Sequence, residues 1–267
     1  LYNQQSLIHL FDYPEKRIHK PVKADFETSA IVSIGGEDYL FVLGSASRPN
    51  RTKGMLIPLK EKAITKSQII GMDYQPFIDR LVAIDIGEIN VEGTTVIGNQ
   101  FMLSNRANRK NSVNKLIATE ADFWKDQRNA SIRVSALTLP MKQEEVIGVS
   151  ELCYVPSHDR LLMVLSTEGT DNSYEDGAIG DSYVGWVNDI KSKIGRSVIE
   201  LDGMINLSES SEAFKGEKIE GLCVESVTEN AFVIHLVSDD DKGHSKLFKV
   251  KLSFQAPVEY LIFSNLL

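Results

Sequence analysis

Four short acidic stretches recur along this chain, and their residue types are those of a charged binding site. Glu27, Glu92, Ser150 with Glu151, and Glu220 each stand just ahead of an apolar run, with Asp25 and Asn90 two positions before the first two. Two loops repeat the pattern Arg-x-Asn-Arg, as Arg48-Pro49-Asn50-Arg51 and Arg106-Ala107-Asn108-Arg109. Two others are acidic, with Glu168, Asp171, Glu175 and Asp176 in one and Asp239 to Asp241 in the other. Converging carboxylates and Asn oxygens suit Ca²⁺, which takes six to eight oxygen ligands, with Glu27, Glu92 and Glu220 as candidate ligands. Arginine pairs recognise phosphate or carboxylate bidentately. A small anionic ligand, possible Ca²⁺ beside it, is therefore the first reading, with Glu27, Arg48, Arg51, Glu92, Arg106, Arg109, Glu151, Glu220 and Asp239 as the binding set. A metal-dependent hydrolase of a phosphoester or lactone, with Glu92 and Glu220 as catalytic candidates, is the second, because a bound ion polarises its substrate and activates water. The third is structural: the same carboxylates accept from backbone amides of a neighbouring unit, the arginines pair with them, and the molecule serves as a protein-interaction platform.

The elements that must position these residues form a repeat. Each acidic leader opens a short strand, followed by a turn, a second apolar run and a third strand. The runs are 26–32, 39–45 and 54–59; then 91–97, 100–104 and 115–118; then 149–155, 160–166 and 183–187; then 218–224, 230–238 and 245–250. Equivalent positions Glu27, Glu92, Ser150 and Glu220 are 65, 58 and 70 residues apart, room for four strands with long loops. Fourth strands are expected at Phe77–Ile84, Ala130–Leu139 and Arg196–Leu201. Helical readings fit only 120–126 and 186–194.

This pattern predicts an all-β β-propeller with four-stranded blades. Four units plus remnants at Ser6–Phe11, an outer strand of a preceding unit, and Val258–Phe263, which either completes a blade or closes the ring, favour five blades, with six as the alternative. Residues 1–267 read as a single domain whose first unit is incomplete. In such a blade the loop after the second strand returns beside the start of the first, which gathers the acidic leaders and the Arg loops at one mouth of the channel. The third position after each leader is small (Ala30, Thr95, Cys153, Cys223), as an innermost strand crowded by its neighbours requires. Both cysteines therefore read as free, buried thiols.

The motifs Ala24-Asp25-Phe26-Glu27, Leu43 to Arg51, Asn90-Val91-Glu92-Gly93, Asn172 to Gly177, Ile219-Glu220-Gly221 and Val237 to Asp241 resemble those of a bacterial β-propeller family of unknown function. Their Glu-Gly and Ser-Asp-Asp phrasing is similar to the esterase-like domain associated with phytases. The resemblance spans roughly residues 5 to 252 and implies the fold, with no activity to carry over. This chain departs from the pattern in having Thr28 after Glu27 and Ser150-Glu151 in place of Glu-Gly.

Composition narrows the remaining classes. The 267 residues are 42% hydrophobic and 25% charged with a net charge of -8, an ordinary globular balance that opposes general phosphate-backbone binding and so argues against nucleic acid. No apolar run approaches the ~20 residues of a membrane span. Two free thiols lean toward the cytoplasm, with a periplasmic or secreted location if a leader has been removed. The five histidines occupy non-equivalent positions, and no Gly-x-Ser-x-Gly, Gly-x-Gly-x-x-Gly or His-Glu-x-x-His motif is present. Tyr174, Tyr183 and Trp186 fit either a sugar-like pocket or wedges between blades.

Overall fold

The computed structural model describes residues 22–60, 65–140, 145–168, 179–239, 244–255 and 258–262. They form four sheets, antiparallel except for one parallel pair in the second, in an all-β, propeller-like arrangement. Blade 1 is β1 (Phe26–Ile34), β2 (Glu37–Gly44), β3 (Lys53–Pro58) and β4 (Ile70–Asp73), in that spatial order. Blade 2 is β5 (Val91–Ile97), β6 (Gln100–Asn105), β7 (Lys115–Glu120) and β8 (Arg133–Thr138). Blade 3 starts with β9 (Ile147–Val155), β10 (Arg160–Glu168) and β11 (Ile179–Val187). Strand β12 (Val198–Glu200) then leaves to pair in parallel with β8 of blade 2, and β13 (Gly203–Asn206) returns as the fourth strand of blade 3. Blade 4 is β14 (Ile219–Val227), β15 (Ala231–Asp239), β16 (Ser245–Gln255) and β17 (Val258–Ile262).

Several expectations change. The described residues make four blades, not five or six. The C-terminal remnant is the last strand of blade 4, paired with β16, and Ser6–Phe11 lies outside the described residues. Phe77–Ile84 is not a strand: α1 (Gln75–Ala83) begins with Pro76 in its first turn and buries Phe77, Ile78 and Leu81, the spacing of one helix face. The fourth strand of blade 1 is β4 instead. Arg196–Leu201 supplies β12, which latches blade 2 rather than completing blade 3. Ala130–Leu139 holds β8 as expected. The stretch 120–126 carries one short turn of 3-10 helix at Phe123–Lys125, and 186–194 ends in α2 (Ile190–Lys193).

The apolar pattern of the second strands shows which blades have a neighbour on each side. Leu161 to Leu165 of β10 are all completely buried. Leu161, Met163 and Leu165 pack toward blade 2 with Met102 and Leu116, while Leu162 and Val164 pack toward blade 4 with Phe232, Ile234 and Leu236. A strand sandwiched between two sheets reads as a continuous apolar run for this reason. Blades 1 and 2 share a third core in which the rings of Phe41, Phe101 and Phe123 pack tilted against one another, with interplanar angles of 57°, 49° and 42°. Each such side chain contributes about 1.5–3 kcal/mol on burial.

Strand β15 behaves differently. Phe232, Ile234 and Leu236 are buried, whereas Val233 and His235 are half-buried and Val237 is exposed. Among the described residues no hydrophobic cluster joins blade 4 to blade 1. The far face of blade 4 carries a polar network, in which Glu225 accepts from Lys249 at 2.9 Å and pairs with His235 at 2.5 Å.

The small third positions follow the same division. Ala30 and Thr95 are buried and Cys153 is half-buried against the core of blades 3 and 4, but Cys223 is exposed. Both cysteines are free as expected, and the packing explanation fails only for Cys223. Burial pushes the Cys153 thiol up to about 12, with the Glu151 charge adding to the effect. A thiol reagent added to the native protein should therefore modify Cys223 roughly tenfold or more faster than Cys153, which waits for unfolding. Equal rates would show that the far face of blade 4 is covered.

Candidate functional site at the bulge end of the channel

The first strands of the four blades share one irregularity. Phe26 pairs with Gly44 and Thr28 with Leu43, which leaves Glu27 without a partner in the ladder. The same break isolates Glu92 between Val91 and Gly93, Ser150 between Val149 and Glu151, and Glu220 between Ile219 and Gly221. A β-bulge inserts one residue and re-aims its side chain, and here it falls on the equivalent residue of every blade. In blades 1, 2 and 4 the loop after the second strand returns to this end. Ser45 donates its amide to the carbonyl of Asp25 at 2.9 Å, Arg106 to that of Asn90 at 2.9 Å, and Asp239 to that of Lys218 at 3.0 Å.

The arginine loops do not present matching pairs of guanidinium groups to an anion. Arg51 is buried and donates to Asp25 Oδ2 at 2.5 Å and to Ser47 Oγ at 2.9 Å. Asp25 also accepts from Ser45 Oγ at 2.9 Å, lies 3.1 Å from Lys23 Nζ, and adopts a left-handed backbone with φ of 55°. Burial works to raise the Asp25 pKa, but the Ser45 hydroxyl and the Lys23 and Arg51 charges outweigh it and hold the carboxyl below its ordinary value.

Arg106, the first arginine of its loop rather than the last, reaches across to blade 3. It donates to Ser150 Oγ at 2.6 Å and Ser166 Oγ at 2.9 Å, and lies 3.8 Å from Glu92. Gly148 makes this crossing possible, since a Cβ there would stand 2.6 Å from Arg106 Cγ. The serine of blade 3 thus receives a cation from blade 2 where the other blades carry a carboxylate. Arg48 and Arg109 are exposed on their loops, and Asp239 is exposed at the end of β15.

The carboxylates divide into three kinds. Glu92 and Glu220 are partly buried and each keeps a local partner: Asn90 donates to Glu92 at 2.7 Å, and Lys218 lies 2.8 Å from Glu220. Glu151 is buried one residue beyond the bulge of blade 3 and ties three blades together. Its Oε1 accepts from the Leu152 amide at 2.8 Å, the Thr94 amide at 3.2 Å and the Thr28 hydroxyl at 3.3 Å, and the two threonine hydroxyls lie 2.9 Å apart. Gly93 lets this cluster close, since a Cβ there would stand 2.8 Å from the Leu152 amide nitrogen. Burial pushes the Glu151 carboxyl well above the usual range despite these donors.

Glu27 is the third kind. It is half-buried, and no hydrogen bond or ion pair reaches its carboxylate among the described residues. Its enclosure pushes its pKa well above the ordinary value, the charges of Glu92, Asp25 and Glu220 push in the same direction, and Lys23 opposes them. Among the described residues, this end therefore holds one carboxyl that accepts no hydrogen bond beside others that do or that sit in an ion pair.

The structure brings Glu27, Glu92 and Glu220 into electrostatic contact, and it places Glu151 deeper, as a brace. Among the described residues no three His, Cys, Asp or Glu side chains are grouped closely enough to hold a metal ion. Asp171, Glu175, Asp176, Asp240, Asp241 and Tyr174 lie outside the described residues. Trp186 is a wedge, buried edge-on against Phe254. Among the described residues no helix is long and apolar enough to cross a membrane.

Sequence reading missed Lys23, Lys218, Thr28, Thr94 and Ser166 as members of this end. Lys218 had a legible signal, since it stands two residues before the Glu of its unit as Asp25 and Asn90 do in theirs.

Comparison with known proteins adds a family. Residues 2–252 match the profile of DUF6929, a family of unknown function. The chain belongs to DUF6929. No curated protein matches it. Among solved structures, this DUF6929 chain is similar to a family GH43 endo-arabinanase from Bacillus licheniformis, at 9% identity and a TM-score of 0.32, over 90% of this chain and 98% of that one. Nothing of that enzyme's activity passes to the DUF6929 chain.

Proposed function

We propose that the protein binds a small polar molecule at the bulge end of its channel. One observation carries the reading: a bulge falls on the equivalent residue of all four blades, and Glu27, one of these, is a half-buried carboxyl that meets no donor among the described residues. An enclosed polar group without a partner costs free energy unless something satisfies it, and a ligand or water must do so here. The test is thermal denaturation against a panel of polyols, amines, phosphates, carboxylates and CaCl₂. A compound that binds the native state alone stabilises it by about 2.7 kcal/mol at a hundredfold excess over its Kd. At least one class should raise the Tm of the native chain and leave that of Glu27→Gln unchanged. A flat response to the whole panel would dispose of the reading.

Two further readings attach to the same end. An anion would use Arg48 and Arg109, which are exposed at the rim, and phosphate in the panel would then act independently of Glu27. Hydrolysis, with Glu92 or Glu220 activating water, is favoured by the cation that each keeps near it. Its sign would be turnover of p-nitrophenyl phosphate or a lactone that Glu92→Gln removes.

A further inference from the structure

Glu151 braces three blades with only one of its two oxygens. Oε1 accepts from the Leu152 amide at 2.8 Å, the Thr94 amide at 3.2 Å and the Thr28 hydroxyl at 3.3 Å. The Thr94 hydroxyl lies 2.9 Å from that of Thr28, so with Thr28 donating to the carboxyl it is Thr94 that donates to Thr28. Each hydroxyl has a single proton, and no donor of the cluster is left over. Oε2 accepts from no described residue. Nor is it sealed in, as the partnerless Trp186 Nε1 and Gln100 Oε1 are. Glu151 is only 9% exposed, so this oxygen meets a narrow opening inside the molecule. The opening lies on the channel. Glu151 belongs to β9 and reaches Thr28 of β1, with β5 standing between those two strands, and a side chain that passes its neighbouring blade to touch the next one crosses the axis.

We propose, resting on the binding reading above, that Glu151 Oε2 is the floor contact of the channel ligand and hydrogen-bonds an uncharged hydroxyl group of it. A carboxyl that takes three donors on one oxygen keeps its proton on the other, where it can donate. Burial, the largest influence on this group, favours that neutral form, and the charge of Glu92 on β5 acts in the same direction. The free oxygen is thus both a donor and an acceptor, which a hydroxyl group matches in both senses. An ammonium or a metal ion has no lone pair to receive the proton. A carboxylate or phosphate would bring a second negative charge beside Glu92 into a poorly solvated space.

The experiment is calorimetric titration of the full chain with erythritol as the probe, and with tartrate and putrescine as four-carbon counterparts charged at both ends, all at matched ionic strength. Erythritol should bind, and the charged pair should bind roughly tenfold more weakly or not at all. Glu151→Gln keeps an oxygen for the three donors and puts an N–H donor in the place of Oε2, so it should hold erythritol within about threefold of the native affinity. Glu151→Leu should lose roughly tenfold, the worth of one hydrogen bond to the ligand. The leucine variant leaves buried donors unpaired, and if it does not fold the decision passes to infrared difference spectra of the native chain against Glu151→Gln. These isolate the carbonyl stretch of the protonated Glu151 carboxyl, which should shift when erythritol is added. Equal affinity in Glu151→Leu, or a stretch that erythritol leaves in place, overturns the inference while the binding reading stands, since the ligand then sits elsewhere and Glu151 meets solvent alone. Tighter binding of putrescine or tartrate than of erythritol overturns the hydroxyl assignment in the same way. Should no compound in either panel bind, both readings fall.

Discussion

Arg106→Ala should destabilise the protein by about 3 kcal/mol, read as a fall in Tm of roughly 6–12 °C. The guanidinium is almost fully buried and binds two serines of the next blade, Ser150 and Ser166, which are themselves buried and 3.1 Å apart. Removing it leaves two buried hydroxyls short of a donor and takes the cation away from Glu92, whose side chain is only 14% exposed. Arg106→Lys should recover little, because one ammonium on a flexible stem cannot reproduce a planar fork that spans two oxygens. Urea or thermal denaturation of the three proteins measures this directly. A loss below about 1 kcal/mol for the alanine variant would mean that the guanidinium does not bridge blades 2 and 3.

Glu151→Gln should act in the opposite direction, and its effect should grow with pH. Burial raises the Glu151 pKa in the folded protein, so the native state holds its proton more tightly than the unfolded chain does. The resulting stability is complete below the ordinary carboxylate range and is lost as pH rises through the folded value. Glutamine keeps an oxygen to accept from Leu152 and Thr94 and cannot ionise. The variant should match the parent near pH 4 and exceed it at pH 8, by an amount on the scale of the several kcal/mol that an enclosed charge costs. Melting curves of both proteins across that range give the difference at each pH, which cancels contributions from other groups. A difference that stays constant with pH would place Glu151 in contact with solvent.

The repeat was legible because the same physical demand is made four times. Each blade needs a small or acidic leader, an apolar second strand and a return loop, and the runs around Leu161 and Phe232 even distinguish a blade covered on both faces from one covered on a single face. The blade count went astray at the ends, where an apolar stretch such as Val258–Ile262 looks alike whether it starts a new sheet or finishes an old one. Strand β12 was legible as a strand at Arg196–Leu201 but its partner was not, since its three residues pair with Ala136 to Thr138 some sixty positions earlier. Helix α1 was readable in principle: buried positions 77, 78 and 81 follow a helical period rather than strict alternation.

The site was legible as a place and not as a set of contacts. Glu27, Glu92 and Glu220 stand where the repeat puts them, but the repeated Arg-x-Asn-Arg sequence conceals two different roles. Arg51 turns back to Asp25 of its own blade, while Arg106 crosses to the next one because Gly148 leaves room and two serines accept. Such a difference depends on a neighbour tens of residues away, which no local pattern records. The solitary condition of Glu27 has the same origin, because it follows from which cations the other carboxylates have already taken.

The most direct test of the account is a crystal structure of the full chain at a resolution that shows ordered solvent, with attention to the Glu27 carboxylate. A small molecule or tightly bound solvent donating to that carboxylate, with Arg51, Arg106 and Lys218 still engaged by Asp25, Ser150 and Glu220, is the predicted result. A Glu27 side chain paired with a protein cation, or sealed among apolar groups with no solvent beside it, would contradict a binding site at this end.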